Sequence, residues 1–299
     1  MKNFALIGVA GFIAPRHLQA IRDTGNNLVA ALDRFDSVGI MDSYFPHADF
    51  FTEFERFDRH LDKLRRQGQK IDYVSICSPN YLHDSHIRFA LRHQADAICE
   101  KPLVLNPWNL DGLAEIEKET SHRVYNILQL RLHPAIKNLK EEVDRAPKDK
   151  FFDVSLEYIT SRGNWYHHSW KGDESKSGGV VTNIGIHFFD MLLWIFGSPT
   201  EPPKAVVTND QAYGTLVLKR ARVRWRLSIN ATHLPAEVAA AGKRTYRSLK
   251  IEGREIEFSD GFTDLHTLCY REVLAGRGFG IEEARPSIDL VYSLRHAKP

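Results

Sequence analysis

Ile98-Cys99-Glu100-Lys101-Pro102-Leu103 is the stretch whose reading decides the fold of this chain. Ala95 to Cys99 is a short apolar run of strand type, and Pro102 has no amide hydrogen to give to a ladder, so a strand is expected to stop at about Lys101. Lys101 then stands at the carboxyl edge of a strand. In a parallel doubly wound sheet that edge opens on the crevice where such sheets bind ligands. An ammonium placed there polarises or hydrogen-bonds a substrate hydroxyl, and burial or neighbouring charge brings its proton affinity toward working pH. A lone Lys-Pro is more often a surface lysine in a turn, so the surrounding pattern has to decide.

The 299 residues suffice for about two domains, and 43% hydrophobic content is ordinary for a globular chain. Forty basic against 38 acidic residues leave the net charge near zero, which argues against nucleic acid or a general anionic surface as partner. Cys77, Cys99 and Cys269 are odd in number, far apart and in apolar settings, and read as reduced packing residues of a cytosolic protein. Met1-Lys2-Asn3-Phe4 enters a strand directly, which leaves no room for a signal peptide. The longest apolar run, Ile184 to Phe196, is interrupted by His187 and Asp190 and is too short to span a bilayer.

Upstream, Phe4 to Ile7 is a buried-strand run followed by Gly8-Val9-Ala10-Gly11-Phe12-Ile13-Ala14, and Pro15 to Asp23 reads as a helix. A glycine turn between strand and helix lets the backbone approach a pyrophosphate, whose charge the free amides of the helix start favour. The spacing is G-x-x-G-x-x-A, so a nucleotide loop and an ordinary turn are both open on this motif alone. The next strand, Asn27 to Leu32, ends in Asp33, near the distance at which an acidic residue meets the adenosine ribose. A carboxylate there repels a 2′-phosphate and implies NAD, with Arg34 beside it as the contrary sign. Helical spacing over His60 to Gln67 leads to a strand at Asp72 to Cys77, a break at Ser78-Pro79-Asn80, and a helix from Tyr81 to Gln94. A helix from Asn109 to Thr120 and a strand from Arg123 to Leu130 follow. This alternation specifies a parallel sheet whose carboxyl edge gathers Gly8, Asp33, Ser78, Asn80 and Lys101. His83 and His86 lie one turn apart without an evident third ligand, so no metal is assigned.

After His133-Pro134 the pattern changes. Ala135 to Ala146 reads as an amphipathic helix, and Phe151 to Thr160, Gln211 to Leu218, Ala221 to Ala231 and Tyr246 to Phe258 alternate as strands of a largely antiparallel sheet. The arginines of Lys219 to Leu227 fall on one strand face, read as a solvated or subunit-contact face ahead of a substrate site. In Ser177 to Asp190 a helix is expected to put Asn183 and His187 on one face, with Asp190 a turn beyond. A polar pair on such an apolar helix is ordinarily satisfied inside the core. The loop Ser161 to Asp173 is too polar and aromatic merely to connect; Arg162 and Lys171 suit phosphates or a carboxylate, and its aromatics suit sugar or base faces. Adjacent His167 and His168 point apart, which disfavours a metal.

The glycine turn, Cys77-Ser78-Pro79-Asn80 with His83, Glu100-Lys101-Pro102, and Gly178-Gly179 to Asp190 together resemble the glucose-fructose oxidoreductase/inositol dehydrogenase/MocA (Gfo/Idh/MocA) family of nicotinamide-dependent sugar dehydrogenases. The resemblance implies an α/β fold, with a Rossmann domain at 1–132 and an α+β domain with a large, mostly antiparallel open sheet, for substrate and oligomerisation, at 133–299. It makes Lys101 the catalytic cation and His187 the group that meets the reacting hydroxyl. It implies NAD contacts at Gly8, Ala10, Gly11, Phe12, Ile13, Asp33, Ser78, Asn80, His83, Glu100 and Lys101. Substrate contacts are implied at Lys101, Arg162, Trp165, Tyr166, Ser169, Lys171, Asn183 and His187. Asn183 departs from the family's usual Asp; an amide cannot take a proton, so base work falls on His187 or Lys101.

Loop 161–173, the glycine turn and Asn183 look most like the branch that oxidises UDP-N-acetylglucosaminuronic acid at C3, an early step toward diacetamido-uronic acids of bacterial O-antigen lipopolysaccharide. That branch implies reoxidation of NADH by 2-oxoglutarate and a cytoplasmic homo-oligomer, tetramer or dimer. Oxidation of a free sugar or polyol, and a regulator that binds NAD without chemistry, are the rival readings.

Overall fold

The computed structural model describes residues 1–258 and 264–297, so 259–263 and 298–299 of the expected second domain lie outside the described residues. The chain divides into two compact units, the first formed by residues 1–129 and 264–284, the second by 130–258 and 285–297 of the described residues.

In the first unit β1 (Asn3–Ile7), α1 (Ala14–Asp23), β2 (Asn27–Leu32), β3 (Asp49–Phe51), α2 (Phe54–Arg66), β4 (Tyr73–Ile76), α3 (His83–Arg92), β5 (Asp96–Cys99), α4 (Pro107–Thr120) and β6 (Val124–Asn126) follow one another. The strands form one six-stranded sheet in the order β3-β2-β1-β4-β5-β6, with every ladder parallel. Phe4 to Ile7, Val74 to Ile76 and Ala97 to Cys99 are all buried, as strands covered on both faces require. The order reverses between β1 and β4, and this switch point brings Gly8, Ser78 and Lys101 to neighbouring strand ends.

The expected strand from Arg123 to Leu130 is much shorter. Asn126 turns its side chain back to the Cys99 and Glu100 carbonyls, at 3.0 and 3.2 Å, and its amide bonds Phe279. The ladder ends there, and Gln129–Leu132 is a 3₁₀ turn. β3, three residues long, escaped the sequence pattern altogether.

The expected division placed everything after residue 132 in the second domain. Instead, α11 (Leu265–Leu274) returns to the first unit and packs on α1. Tyr270, wholly buried, stacks on Phe4 at 5.8 Å. Such a return is invisible to a reading made in chain order.

The second unit takes α5 (Pro134–Arg145), β7 (Phe152–Thr160), the short α6 (Trp165–His168) and α7 (Glu174–Ser177), α8 (Gly179–Asn183), α9 (Ile186–Phe196), β8 (Lys204–Val207), β9 (Gln211–Leu218), β10 (Ala221–Ser228), α10 (Ala236–Ala240), β11 (Thr245–Ile251) and β12 (Arg254–Glu255). The boundary between the units falls inside the last helix, α12 (Ile281–Arg295). Its sheet runs β12-β11-β7-β10-β9-β8, antiparallel except for the parallel pair β7–β10. Along β10 the buried residues Ala221, Val223, Trp225 and Leu227 alternate with Arg222, Arg224 and Arg226. Trp225 meets Phe189 edge-on at 5.0 Å. On the outer face Arg224 pairs with Asp153 at 3.3 Å and Arg226 with Glu157 at 3.6 Å, contacts worth about 1 kcal/mol at most in water.

The single helix expected over Ser177 to Asp190 is broken. The run ending at Asn183 and α9 are bent by 46° at Ile184 and Gly185. A Cβ on Gly185 would strike the Val181 carbonyl, Leu227 at 2.5 Å and Phe189 at 2.7 Å, so only glycine permits so close an approach to β10. Among the described residues no single helix is long and apolar enough to cross a membrane.

One buried ion pair fastens α9. Asp190 accepts from Arg131 Nε at 2.9 Å and Nη2 at 2.6 Å, both side chains being almost wholly buried. Removing one partner strands a charge in the core. Arg131→Ala is expected to cost about 3–5 kcal/mol in urea unfolding followed by tryptophan fluorescence. The double variant carrying Arg131→Met and Asp190→Leu, which replaces both charges by apolar side chains, should recover most of that loss.

Candidate functional site

In the first unit the site is assembled at the carboxyl ends of β1, β2, β4 and β5. Gly8, at φ +91°, bonds the Leu32 carbonyl at 2.7 Å, and a Cβ on it would sit 2.7–2.8 Å from the Cys77–Ser78 peptide. This position therefore needs glycine, and it sets β1 and β4 close together. Ala10 gives its amide to Asp33 Oδ2 at 3.0 Å, while Phe35 gives its amide to Oδ1 at 3.0 Å. Asp33 is thus oriented by two backbone donors, and its oxygens keep free lone pairs. Gly11 bonds back to Gly8 at 3.0 Å. Among the described residues the amides of Phe12 and Ile13, at the start of α1, take no partner within the chain. They are the orphan donors of a helix beginning, suited to an anion.

Behind this edge the polar groups brace one another. Ser78 Oγ is 2.9 Å from His86 Nδ1, and Asn80 is buried in the following turn. His83 was expected among the cofactor contacts. It is fully buried, with Nδ1 2.7 Å from the Pro102 carbonyl and Nε2 2.8 Å from the Ser78 carbonyl. It ties one turn to the other. Burial pulls its ring toward the neutral form, and the two carbonyls pull it back.

Glu100 likewise faces inward. Its Oε1 receives His17 Nε2 and His266 Nε2, each at 2.9 Å, and its Oε2 receives the Lys101 amide at 3.3 Å. His17 Nδ1 continues to the Tyr270 hydroxyl at 2.7 Å, which meets Ser75 Oγ at 2.6 Å. Burial works to raise the Glu100 carboxyl, yet the two imidazole donors hold it well below the usual range. Sequence reading missed His17, His266, Tyr270 and Ser75, because the partners that give each its role lie far away along the chain. Lys101, partly exposed, follows at the strand's end, and its peptide bond to Pro102 is cis.

In the second unit the predicted residues of loop 161–173 do come together. Tyr166 is buried, and its hydroxyl accepts from Asn183 Nδ2 at 2.8 Å. Ser169 Oγ bonds the Tyr166 carbonyl at 2.8 Å, closing the turn of α6. Lys171 lies over Trp170 at 4.4 Å and near Trp165 at 6.0 Å. Burial and then the charge of Arg162 lower its proton affinity. Two cations that disfavour each other, Lys171 with aromatic rings beside it, are suited to an anion. His187 stands in the first turn of α9, half-buried, one turn before the Arg131–Asp190 pair.

His86 carries a pH dependence. Burial, and secondarily His83, push it down to about 4. A histidine that titrates near 6.5 when unfolded but near 4 when folded lends its full stability above 6.5 and loses it as pH falls toward 4. The loss is on the order of 3 kcal/mol. Urea midpoints taken at pH 7 and at pH 4.5 should fall further for the wild type than for His86→Gln, which keeps an acceptor for Ser78.

Comparison with known proteins agrees with this geometry. Residues 2–127 match the oxidoreductase family's NAD-binding Rossmann fold, and residues 150–237 match its C-terminal alpha/beta domain. The WlbA (WbpB) dehydrogenase of Thermus thermophilus, solved in complex with NAD and alpha-ketoglutarate, is 51% identical with a TM-score of 0.96, covering 100% of this chain and 97% of that one. The same protein in complex with NAD and UDP-GlcNAcA gives a TM-score of 0.95 at 51% identity, covering 100% and 96%. D-glucoside 3-dehydrogenase of Escherichia coli K12 is 25% identical over 44% of this chain, a match that spans only 37% of that enzyme. On both matched domains, and on whole-chain similarity at 51% identity, this chain belongs to the Gfo/Idh/MocA oxidoreductase family.

Proposed function

We propose that this protein is an NAD-dependent dehydrogenase that oxidises the C3 hydroxyl of UDP-N-acetylglucosaminuronic acid to the 3-keto sugar. The observation that carries the reading is 51% identity, over the whole chain, to a dehydrogenase crystallised with NAD and UDP-GlcNAcA. The residues of the first unit fit the cofactor. Glycine at Gly8 and Gly11 keeps those two positions of the turn free of side chains, the Phe12 and Ile13 amides lack partners among the described residues, and Asp33 is held ready by two amides.

Bound NAD supplies the hydride acceptor for the reaction. On the protein's side, the amides at the start of α1 hold the pyrophosphate, and the Asp33 carboxylate accepts from the adenosine ribose hydroxyls while repelling a 2′-phosphate. Ser78 and Asn80 line the neighbouring turn. The Lys101 ammonium donates to the substrate oxygen and steadies the negative charge that develops as its proton leaves. His187 takes that proton at a ring nitrogen. Asn183, an amide fixed by Tyr166, orients the sugar without taking a proton. Arg162 and Lys171 meet the uronate carboxylate or the diphosphate, and Trp165 offers an exposed ring to sugar or base.

Reoxidation in place runs the same roles in reverse. The 2-oxoglutarate carbonyl receives the hydride, and His187 returns its proton to give 2-hydroxyglutarate. Co-crystallisation of the Thermus thermophilus dehydrogenase with alpha-ketoglutarate supports this part. The reading also places the protein in the cytoplasm as a homo-oligomer, with the outer face of β9 and β10 as the subunit contact. Exposed Tyr213, opposite Arg226, and Val206, opposite Tyr213, lie beside the arginine row and support that choice.

Lys101→Ala and His187→Ala test the mechanism. Each should lower kcat for the UDP-sugar by about 10²–10⁴-fold while NADH binding is retained. Full turnover by both variants, or a wild type that oxidises inositol and leaves the UDP-sugar untouched, would remove the proposal.

A further inference from the structure

The cluster His17–Glu100–His266 lies behind Lys101 and is not used by the chemistry above. Its three ligating atoms lie within 4.8 Å of one another, and all three residues are buried, so a metal site and a hydrogen-bonded anchor are both conceivable. The bonding pattern decides between them. Both Nε2 atoms stand 2.9 Å from the same carboxylate oxygen, each as a donor to it. His17 spends its other nitrogen on Tyr270, and Tyr270 meets Ser75. His266 Nδ1 has no hydrogen-bond partner among the described residues, so this ring makes its bond through Nε2 alone. The Glu100 carboxyl, held well below the usual range by its two imidazole donors, is thus a carboxylate enclosed one residue from Lys101. Removal from water makes such a charge act strongly on its surroundings.

We propose that His17 and His266 are positioning residues: through Glu100 they fix a buried negative charge behind Lys101 that keeps its amine protonated, and they hold the β5 end in register with α1 and α11. The groups facing Glu100 from every side agree with a single enclosed charge. Cys77 on the β4 side, Cys99 on β5 and Cys269 on α11 are all thiols that burial, and then this carboxylate, keep neutral. Tyr270 is likewise held neutral by burial. His83 feels Glu100 and Lys101 in opposite senses, which places both charges around the same turn. The bonds link three chain segments: α1 with the anion-ready turn, β5 with Lys101, and the returning α11.

The inference rests on the dehydrogenase reading only for the role of Lys101, so its test includes a readout that needs no turnover. A pulse of acetic anhydride labels free amines, and peptide mass spectrometry reports Lys101 acetylation against pH in the wild type and in Glu100→Gln, His266→Phe and His266→Gln. Glu100→Gln keeps the shape and removes the charge, so its Lys101 midpoint should fall by about one pH unit. His266→Gln, which keeps a donor, should label as the wild type does, and His266→Phe should move in the direction of Glu100→Gln. In turnover, Glu100→Gln should lose about tenfold in kcat with the KM for NAD little changed, a split that general loosening of the fold would not give. An unchanged Lys101 midpoint in folded Glu100→Gln overturns the proposal. So does one divalent ion per purified chain that is lost in Glu100→Gln. If His266→Phe fails to fold, the two glutamine variants still decide. A wild type inactive on the UDP-sugar but with the expected labelling would reject the substrate and leave the anchor standing.

Discussion

A carboxylate sealed inside a parallel sheet is costly unless donors surround it, and Glu100 meets that demand with two imidazoles and the following backbone amide. The consequence is geometric. Strand β5 cannot slide without breaking contact to α1 and α11 together, and Lys101 inherits that fixity. The His83 bridge from Pro102 to Ser78 adds a second tie, so the lysine's turn is held from within and from the side. Preorganisation of this kind lets a single ammonium act on a developing charge without rearrangement.

The second unit is built on another principle. Its sheet buries one face under α8 and α9 and leaves the other to arginines and their acidic partners. The Arg131–Asp190 pair and the close packing at Gly185 fix the start of α9, and so the turn that carries His187. Loop 161–173 closes on itself through Tyr166, Ser169 and Asn183, so its aromatic and cationic groups are presented from a folded patch. Of the histidines paired in the sequence, His83 bonds the Pro102 and Ser78 carbonyls, His86 meets Ser78 and His167 lies edge-on to Tyr166; among the described residues ligating geometry is met with Glu100 by His17 and His266, which lie 249 positions apart (266 − 17).

Much of this was legible beforehand for identifiable reasons. Strands covered on both faces must be apolar throughout, so β1, β2, β4 and β5 stood out, and the glycine turn and Pro102 marked where they end. Asp33 was placed at a strand end because it directly follows such a run, and Lys101 because it stands between such a run and Pro102. The helix carrying Asn183 and His187 was read as continuous because spacing records periodicity and not the crowding at Gly185 that bends it. Short β3 fell below any pattern, and β6 was overextended because Asn126 ends its ladder with a side-chain bond that composition does not reveal. His83 and Glu100 were assigned from their motif, and what spacing does not reveal is that both are buried, His83 bonded to the Pro102 and Ser78 carbonyls and Glu100 to His17 and His266. The return of α11, with His266 and Tyr270, depends on contacts made across most of the chain's length.

The central claim is that hydride leaves C3 of a nucleotide-linked uronate under the control of Lys101 and His187. The most direct measurement follows UDP-N-acetylglucosaminuronic acid deuterated at C3 through turnover with 2-oxoglutarate, reading the label by mass spectrometry. The account predicts that deuterium leaves the sugar and appears on C2 of 2-hydroxyglutarate. Deuterium retained in the sugar while the enzyme turns over, or oxidation at another carbon, would contradict it.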